Sequence, residues 1–239
     1  QWQSTLALAS TFYEDTVSAF AKIASTEYRA LGISNALSPQ IDMATEPRWL
    51  RNNGTWGEDP DMTAKYAQLY VEGFQNTYDA DGNPIGWGDG SVATMIKHFP
   101  GDGRGEGGRE SHTNVGKYAV AAGGDLEDHL KPFEASMESA GLMTSYSILV
   151  DAEGNPAYGD KLVGTAYNTD LLDVLRKDMG YEGVIVTDWG VLNGGSTDPD
   201  AMIGTAWGMD DVEVPVRIFE VLKNGIDSLG GFNNVGPVM

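Results

Sequence analysis

The chain alternates helix-patterned stretches with short, unbroken apolar runs, and this rhythm narrows its fold more than any other feature. Residues 6–30 carry Phe12, Val17, Phe20 and Ile23 at helical spacing, and Gly32 ends the pattern. Residues 33–43 read as a strand. The spacing predicts further helices over 61–76, 126–140, 169–179 and 215–224, and further strands over 93–99, 142–150, 183–188 and 226–229. Glycines just past the helices (Gly141, Gly180, Gly225) are the usual C-terminal punctuation. A helix between successive strands argues for a parallel sheet with helices on its faces. Runs such as GVIVTD and TMIKHF are continuous, as in strands buried on both sides. The resulting five strands fit an open doubly wound sheet or part of an eight-stranded barrel. Both folds gather functional side chains at the C-terminal ends of the strands.

Composition excludes several classes of function. The chain has 239 residues, 41% of them hydrophobic, with 10 Tyr, 7 Phe and 6 Trp, which suffices for one large domain over residues 1–239. Its 15 basic and 35 acidic residues leave a net charge of −20, which repels nucleic acid and anionic membranes. No apolar run approaches the roughly 18–20 residues of a membrane span. With no Cys and only three His, no metal site and no cofactor is expected. The glycine-rich loop Gly101-Asp102-Gly103-Arg104-Gly105 follows Pro100, leads into no helix and lacks a dinucleotide or P-loop spacing. Asp79-Ala80-Asp81-Gly82-Asn83 and Asp151-Ala152-Glu153-Gly154-Asn155 read as surface turns, not calcium loops. The acidity suggests a secreted or periplasmic protein, and Gln1 without a signal-peptide pattern suggests a cut end.

The strand ends carry the chemistry. The first runs into Asp42 and EPRWLR, the second ends in Lys97-His98-Phe99-Pro100, the third passes Ser145 and Tyr146, and the fourth ends in Thr187-Asp188-Trp189-Gly190. Each residue alone has a structural explanation: Asp188 as a turn or capping carboxylate, Lys97 and His98 as rim solvation, Tyr146 as a core aromatic. Together on one rim they suit a sugar. A carboxylate can attack or stabilise an anomeric carbon, cations and imidazole bind hydroxyls, and an indole covers the C–H face.

At these residues the chain resembles glycoside hydrolase family 3. EPRWLRNNGTWGEDP (46–60) is similar to the family's DPRWGR…GEDP block, and KHFPG (97–101) to its KHF-x-G block. LMTSY (142–146) is similar to the stretch before its pocket Tyr, and VIVTDWG (184–190) to the segment bearing its nucleophile. The resemblance implies a (β/α)8 TIM-barrel-like domain and retaining, exo-acting hydrolysis of terminal β-D-glucosyl units, through a covalent glycosyl-Asp intermediate. It implies Asp188 as the nucleophile. It places Arg51, Lys97, His98, Tyr146 and Trp189 around the terminal sugar, with Arg109 reaching the same pocket. It also leads us to expect cis or strained peptides around Lys97-His98-Phe99.

Departures from the family pattern set further expectations. Glu46 replaces Asp, Leu50 replaces Gly, and Gly54 removes a carboxylate that could orient Arg51. The family's barrel usually begins earlier and is followed by an α/β sandwich domain that often donates the acid/base Glu. The chain is therefore expected to be an incomplete barrel of about five βα units within a larger protein, completed by other segments or by a second copy. Glu110 and His112 resemble the acid/base dyad of the family's β-N-acetylglucosaminidases, although Tyr146 and the runs GKYAV and AWGMDDVEV resemble the glucosidases. A β-N-acetylglucosaminidase and a non-catalytic sugar-binding remnant are the alternatives to a β-glucosidase.

Overall fold

The computed structural model describes residues 2–193 and 206–239. In chain order the regular elements are α1 (Thr5–Ala9), α2 (Glu14–Ala30), α3 (Pro60–Gln75), β1 (Met95–Phe99), β2 (Tyr118–Ala121), α4 (Leu126–Glu134), β3 (Gly141–Thr144), β4 (Ile148–Asp151), α5 (Thr169–Asp173), β5 (Val184–Val186) and α6 (Val214–Lys223). None of the helices is long and apolar enough to cross a membrane, among the described residues.

The main sheet runs β1-β3-β5, all parallel, with Ile96 opposite Leu142 and Leu142 opposite Ile185. Parallel bridges Asn35–Ala93 and Gln40–Lys97 lay residues 33–43 beside β1, and Val186–Ser228 lays residues 226–229 beside β5. Five staves therefore follow one another in sequence order without the reversal that defines a doubly wound sheet. Helix α3 packs between α2 and α4, so successive helices are neighbours as in the outer ring of a barrel. The fold is TIM-barrel-like.

Side-chain alternation divides each strand between two cores. Ile96, Leu142 and Ile185 belong to the large core under the helices, whereas Met95, Met143 and Val186 form a separate small layer on the opposite face. Successive strand side chains point to opposite faces, so two residues beyond that inner layer lie Lys97, Ser145 and Asp188. The rim is thus built by counting in twos from three buried apolar residues.

The sequence-based boundaries need four corrections. Residues 6–30 form two helices, because Phe12 adopts a positive φ of 57° between them. Residues 33–43 pair only through isolated bridges around a cis Ser38–Pro39 bond, where proline removes a ladder donor. Residues 142–150 break into β3 and β4, because Ser145 and Ser147 turn their hydroxyls onto buried Asp102. That break frees β4 to pair with β2, a strand the hydrophobic pattern did not reveal. Helix α4 is also shorter than its sequence pattern, whereas α5 continues as a π-helical turn over Val174–Asp178 and so fills the expected span.

A buried glutamine holds the strand starts together. Gln75, at the end of α3, accepts from Thr94 N (3.1 Å), Thr94 Oγ1 (2.7 Å) and Ala140 N (2.8 Å), and donates to Glu138 O (2.7 Å). Methionine has a similar shape and no such groups, so Gln75→Met leaves two backbone N–H groups and one carbonyl without partners. We expect a loss of about 2–4 kcal/mol, measured as a lower urea midpoint with an unchanged slope.

Candidate active site

Asp188 follows β5 at the rim, nearly buried at 7% exposure. Its Oδ1 accepts from Tyr146 Oη (2.9 Å) and from the amide of Trp189 (2.6 Å). Tyr146 Oη also lies against the Trp189 carbonyl, so the phenol contacts both the Asp188 side chain and the backbone that follows it. Burial and the neighbouring Asp188 charge push the Tyr146 phenol well above its usual range. It therefore serves as a proton donor to the carboxylate. The other oxygen, Oδ2, faces His98 Nε2 at 3.6 Å, too long for a hydrogen bond. One carboxylate oxygen is fixed and the other is directed at His98.

The basic side chains around the site come from two strand ends. Lys97 and His98 close β1 through a cis peptide, and the Phe99–Pro100 peptide is also cis. The Lys97 ammonium is pulled down by burial and by the like charge of Arg51, with Asp188 and Asp42 opposing. Arg51 lies in the turn that follows Trp49, and its Nη2 is 3.0 Å from His98 Nε2. Position 54, where glycine removes the expected carboxylate, is compensated from another loop. Glu110 Oε1 stands 3.8 Å from Arg51 Nη1, and Glu110 Oε2 accepts from Trp49 Nε1 (3.1 Å).

The same Glu110 Oε1 lies 2.6 Å from His112 Nδ1, and the His112 ring packs on Tyr146 with centroids 4.4 Å apart. Burial raises the Glu110 pKa, but the bond to His112 and the Arg51 charge outweigh it and hold the carboxyl below its ordinary value. Arg51, Lys97, His98, Glu110, His112, Tyr146 and Asp188 thus form one connected group. Trp189 is 44% exposed at its edge, leaning over Gly231. Arg109 is different. Its side chain is exposed and makes no hydrogen bond or ion pair with this group among the described residues, because the loop turns inward one residue later, at Glu110.

Several residues beneath the group had no assigned role from the sequence. Asp42 is wholly buried and accepts from His98 Nδ1 (2.8 Å), His98 N (3.1 Å) and Asp102 N (2.7 Å). Asp102 is also buried and accepts from Ser111 (2.9 Å), Ser147 (2.6 Å) and Ser145. The two carboxyls shift in opposite directions. Burial opposes ionisation of Asp42, but His98 and the Asp102 amide pull its pKa down, while burial and the Asp42 charge push Asp102 up. The legible signal was an Asp at a strand end and two serines flanking Tyr146. The turns at Asp79 and Asp151 lie outside the site, each carboxylate accepting from backbone N–H groups of its own loop. A cleft of about 320 Å³ beside β2 and β4, lined by Glu106, Tyr118, Val120, Val150 and Asp151, includes none of the site residues.

The model of the Glycosyl hydrolase family 3 N terminal domain matches residues 3–201. This chain belongs to glycoside hydrolase family 3. It is 37% identical to a probable β-glucosidase C of Aspergillus flavus, covering 97% of this chain and 35% of that protein. It is 39% identical to a periplasmic β-glucosidase/β-xylosidase of Dickeya chrysanthemi, covering 97% and 36%. The chain spans about a third of the length of these relatives. A solved β-glucosidase from Erythrobacter marinus superposes with a TM-score of 0.70 at 32% identity, over 99% of this chain and 28% of that one. A β-glucosidase from Listeria innocua shares the fold at 24% identity and a TM-score of 0.71.

The depressed pKa of Glu110 has a pH signature. Its ionised form stabilises the fold fully above the ordinary glutamate value of 4.5, and that contribution is lost as pH falls through the lower folded value. Chemical denaturation should therefore show Glu110→Gln less stable than the parent at pH 7, with the gap closing on acidification below about pH 4.5.

Proposed function

We propose that this chain is the catalytic barrel portion of a longer retaining β-glycosidase of the β-glucosidase type, removing terminal β-D-glucosyl units. The observation that carries this reading is the asymmetric setting of Asp188, with Oδ1 held by Tyr146 and Trp189 and Oδ2 turned toward His98, which is itself in contact with Arg51. A nucleophile must present one free oxygen to its substrate, and this arrangement leaves Oδ2 so placed. Asp188 Oδ2 attacks the anomeric carbon as the bond to the leaving oxygen breaks. The glycosyl ester is then hydrolysed by water, which restores the carboxylate. Lys97, Arg51 and His98 bind ring hydroxyls, and Trp189 presents its indole to the sugar's apolar face.

The relatives' names support glucoside as the substrate class and, through the periplasmic relatives of Dickeya chrysanthemi and Salmonella typhimurium, an exported protein. We read the five staves as part of a barrel whose edges are covered by further segments of the full-length protein or by a second copy. The −20 charge makes nucleic acid and anionic membranes poor partners.

The acid step has a specific candidate. Where the acid is a carboxyl it stands about 5–5.5 Å from the nucleophile. The Glu110–His112 contact of 2.6 Å, beside the tyrosine that binds Asp188, favours a second reading in which His112 protonates the leaving group, as in a β-N-acetylglucosaminidase. Tyr146 and the glucosidase relatives favour the first reading, with the acid supplied from outside this chain.

Mass spectrometry after incubation with 2-deoxy-2-fluoro-β-glucosyl fluoride tests the nucleophile, since its activated leaving group needs little acid assistance. We expect one adduct on the peptide bearing Asp188. An adduct on another peptide removes the assignment. In any active form, Asp188→Asn should lower turnover at least about a thousandfold with the thermal midpoint retained. His112→Ala should slow aryl glycosides with poor leaving groups roughly 100-fold, and good ones little, only if His112 is the acid. Equal rates across the leaving-group series assign the acid elsewhere.

A further inference from the structure

The contact between Arg51 and His98 shows where the imidazole proton sits. A guanidinium has donors and no acceptor, so with Nη2 at 3.0 Å the His98 Nε2 must be the accepting atom. The ring proton then lies on Nδ1, which is 2.8 Å from Asp42 Oδ2. Asp42 is suited to hold it there. It is wholly buried, it is kept in place by the amides of His98 and Asp102, and it can only accept while ionised. Its lowered pKa is consistent with that state.

The other tautomer would alter the reactive oxygen. An Nε2–H would point toward Arg51, placing two donors against each other, and toward Asp188 Oδ2 at 3.6 Å. A small tilt of the ring would then give Oδ2 a hydrogen bond. A carboxylate oxygen that accepts such a bond is a poorer nucleophile, because its lone pair must be freed before attack. Among the described residues, Oδ2 accepts no hydrogen bond, whereas Oδ1 accepts two.

We propose that Asp42 is a positioning residue that keeps the His98 proton on Nδ1, so that Nε2 holds Arg51 and Asp188 Oδ2 stays bare for attack. The structural part, the tautomer, stands on the contacts alone. Its consequence for attack rests on Asp188 being the nucleophile. Asp42 touches neither sugar nor reacting atoms and acts through His98. Tautomer control from the layer behind a functional imidazole is a general device, and it depends on the group bonded to the other nitrogen.

Long-range 1H–15N correlation spectra of the full chain, labelled at its three histidines, read the tautomer directly and independently of catalysis. Single His112→Gln and His129→Gln variants assign the remaining signal to His98. We expect the His98 proton on Nδ1, with Nε2 bare. In Asp42→Asn the amide nitrogen replaces Oδ2, and the proton should move to Nε2. In Arg51→Met it should stay on Nδ1, because Asp42 and not Arg51 holds it. A proton on Nε2 in the parent protein overturns the proposal. So does a proton that remains on Nδ1 in a folded Asp42→Asn, or one that leaves Nδ1 in Arg51→Met. If Asp42→Asn does not fold, the parent and Arg51→Met spectra decide between the same outcomes. A failed sugar label with the expected tautomer would reject the nucleophile assignment and leave the role of Asp42 in setting the tautomer intact.

Discussion

Two adjacent buried carboxyls, Asp42 and Asp102, hold the rim of this fold together. Asp42 joins the end of the first stave to the backbone at His98 and at Asp102. Asp102 joins the loop after β1 to Ser111, and to Ser145 and Ser147 where β3 gives way to β4. Taking two carboxyls out of water is costly unless donors surround them, so the cluster holds only when all the segments are in place. That mutual dependence fixes the site. The pKa values of the pair move in opposite directions, Asp42 down through His98 and the Asp102 amide and Asp102 up through burial and the Asp42 charge.

The backbone around this cluster leaves little room. Gly101 has φ of 115°, and a Cβ there would meet His129 Nδ1 at 2.9 Å. A Cβ on Gly103 would lie 1.6 Å from the Met43 carbonyl oxygen. The glycines of this loop therefore serve close packing beneath the rim. The same run of residues, read for its glycines alone, suggests a phosphate cradle. The distinction lies in what the backbone approaches: here it is another part of the same chain.

Charge is arranged locally against the overall trend. A protein of net charge −20 gathers two cations, Lys97 and Arg51, with the His98 imidazole at the rim that holds Asp188. Burial lowers the Lys97 pKa and strengthens each pairing by excluding water. Glu110 extends the group by contacting Arg51, Trp49 and His112 together, so the carboxylate absent at position 54 is supplied by a loop some fifty residues later in the chain.

Much of this was legible in the sequence because it depends on local periodicity. Unbroken apolar runs and apolar residues at a spacing of 3.6 marked most of the staves and helices, and the rule that function gathers at strand ends selected Arg51, Lys97, His98, Tyr146, Asp188 and Trp189. The family blocks gave these residues their individual roles. Periodicity did not separate a doubly wound sheet from a barrel, since neighbour order is a long-range property of pairing. It also missed β2, whose partner β4 is available only because Ser145 and Ser147 end β3 early. Arg109 and Glu110 are adjacent, yet one faces solvent and the other the site, because the tertiary course of the loop sets that direction. The sequence by itself determined which residue types stand at the rim. Only the tertiary structure decided which atoms meet, because a buried hydrogen bond depends on distances of tenths of an ångström between segments far apart in the chain.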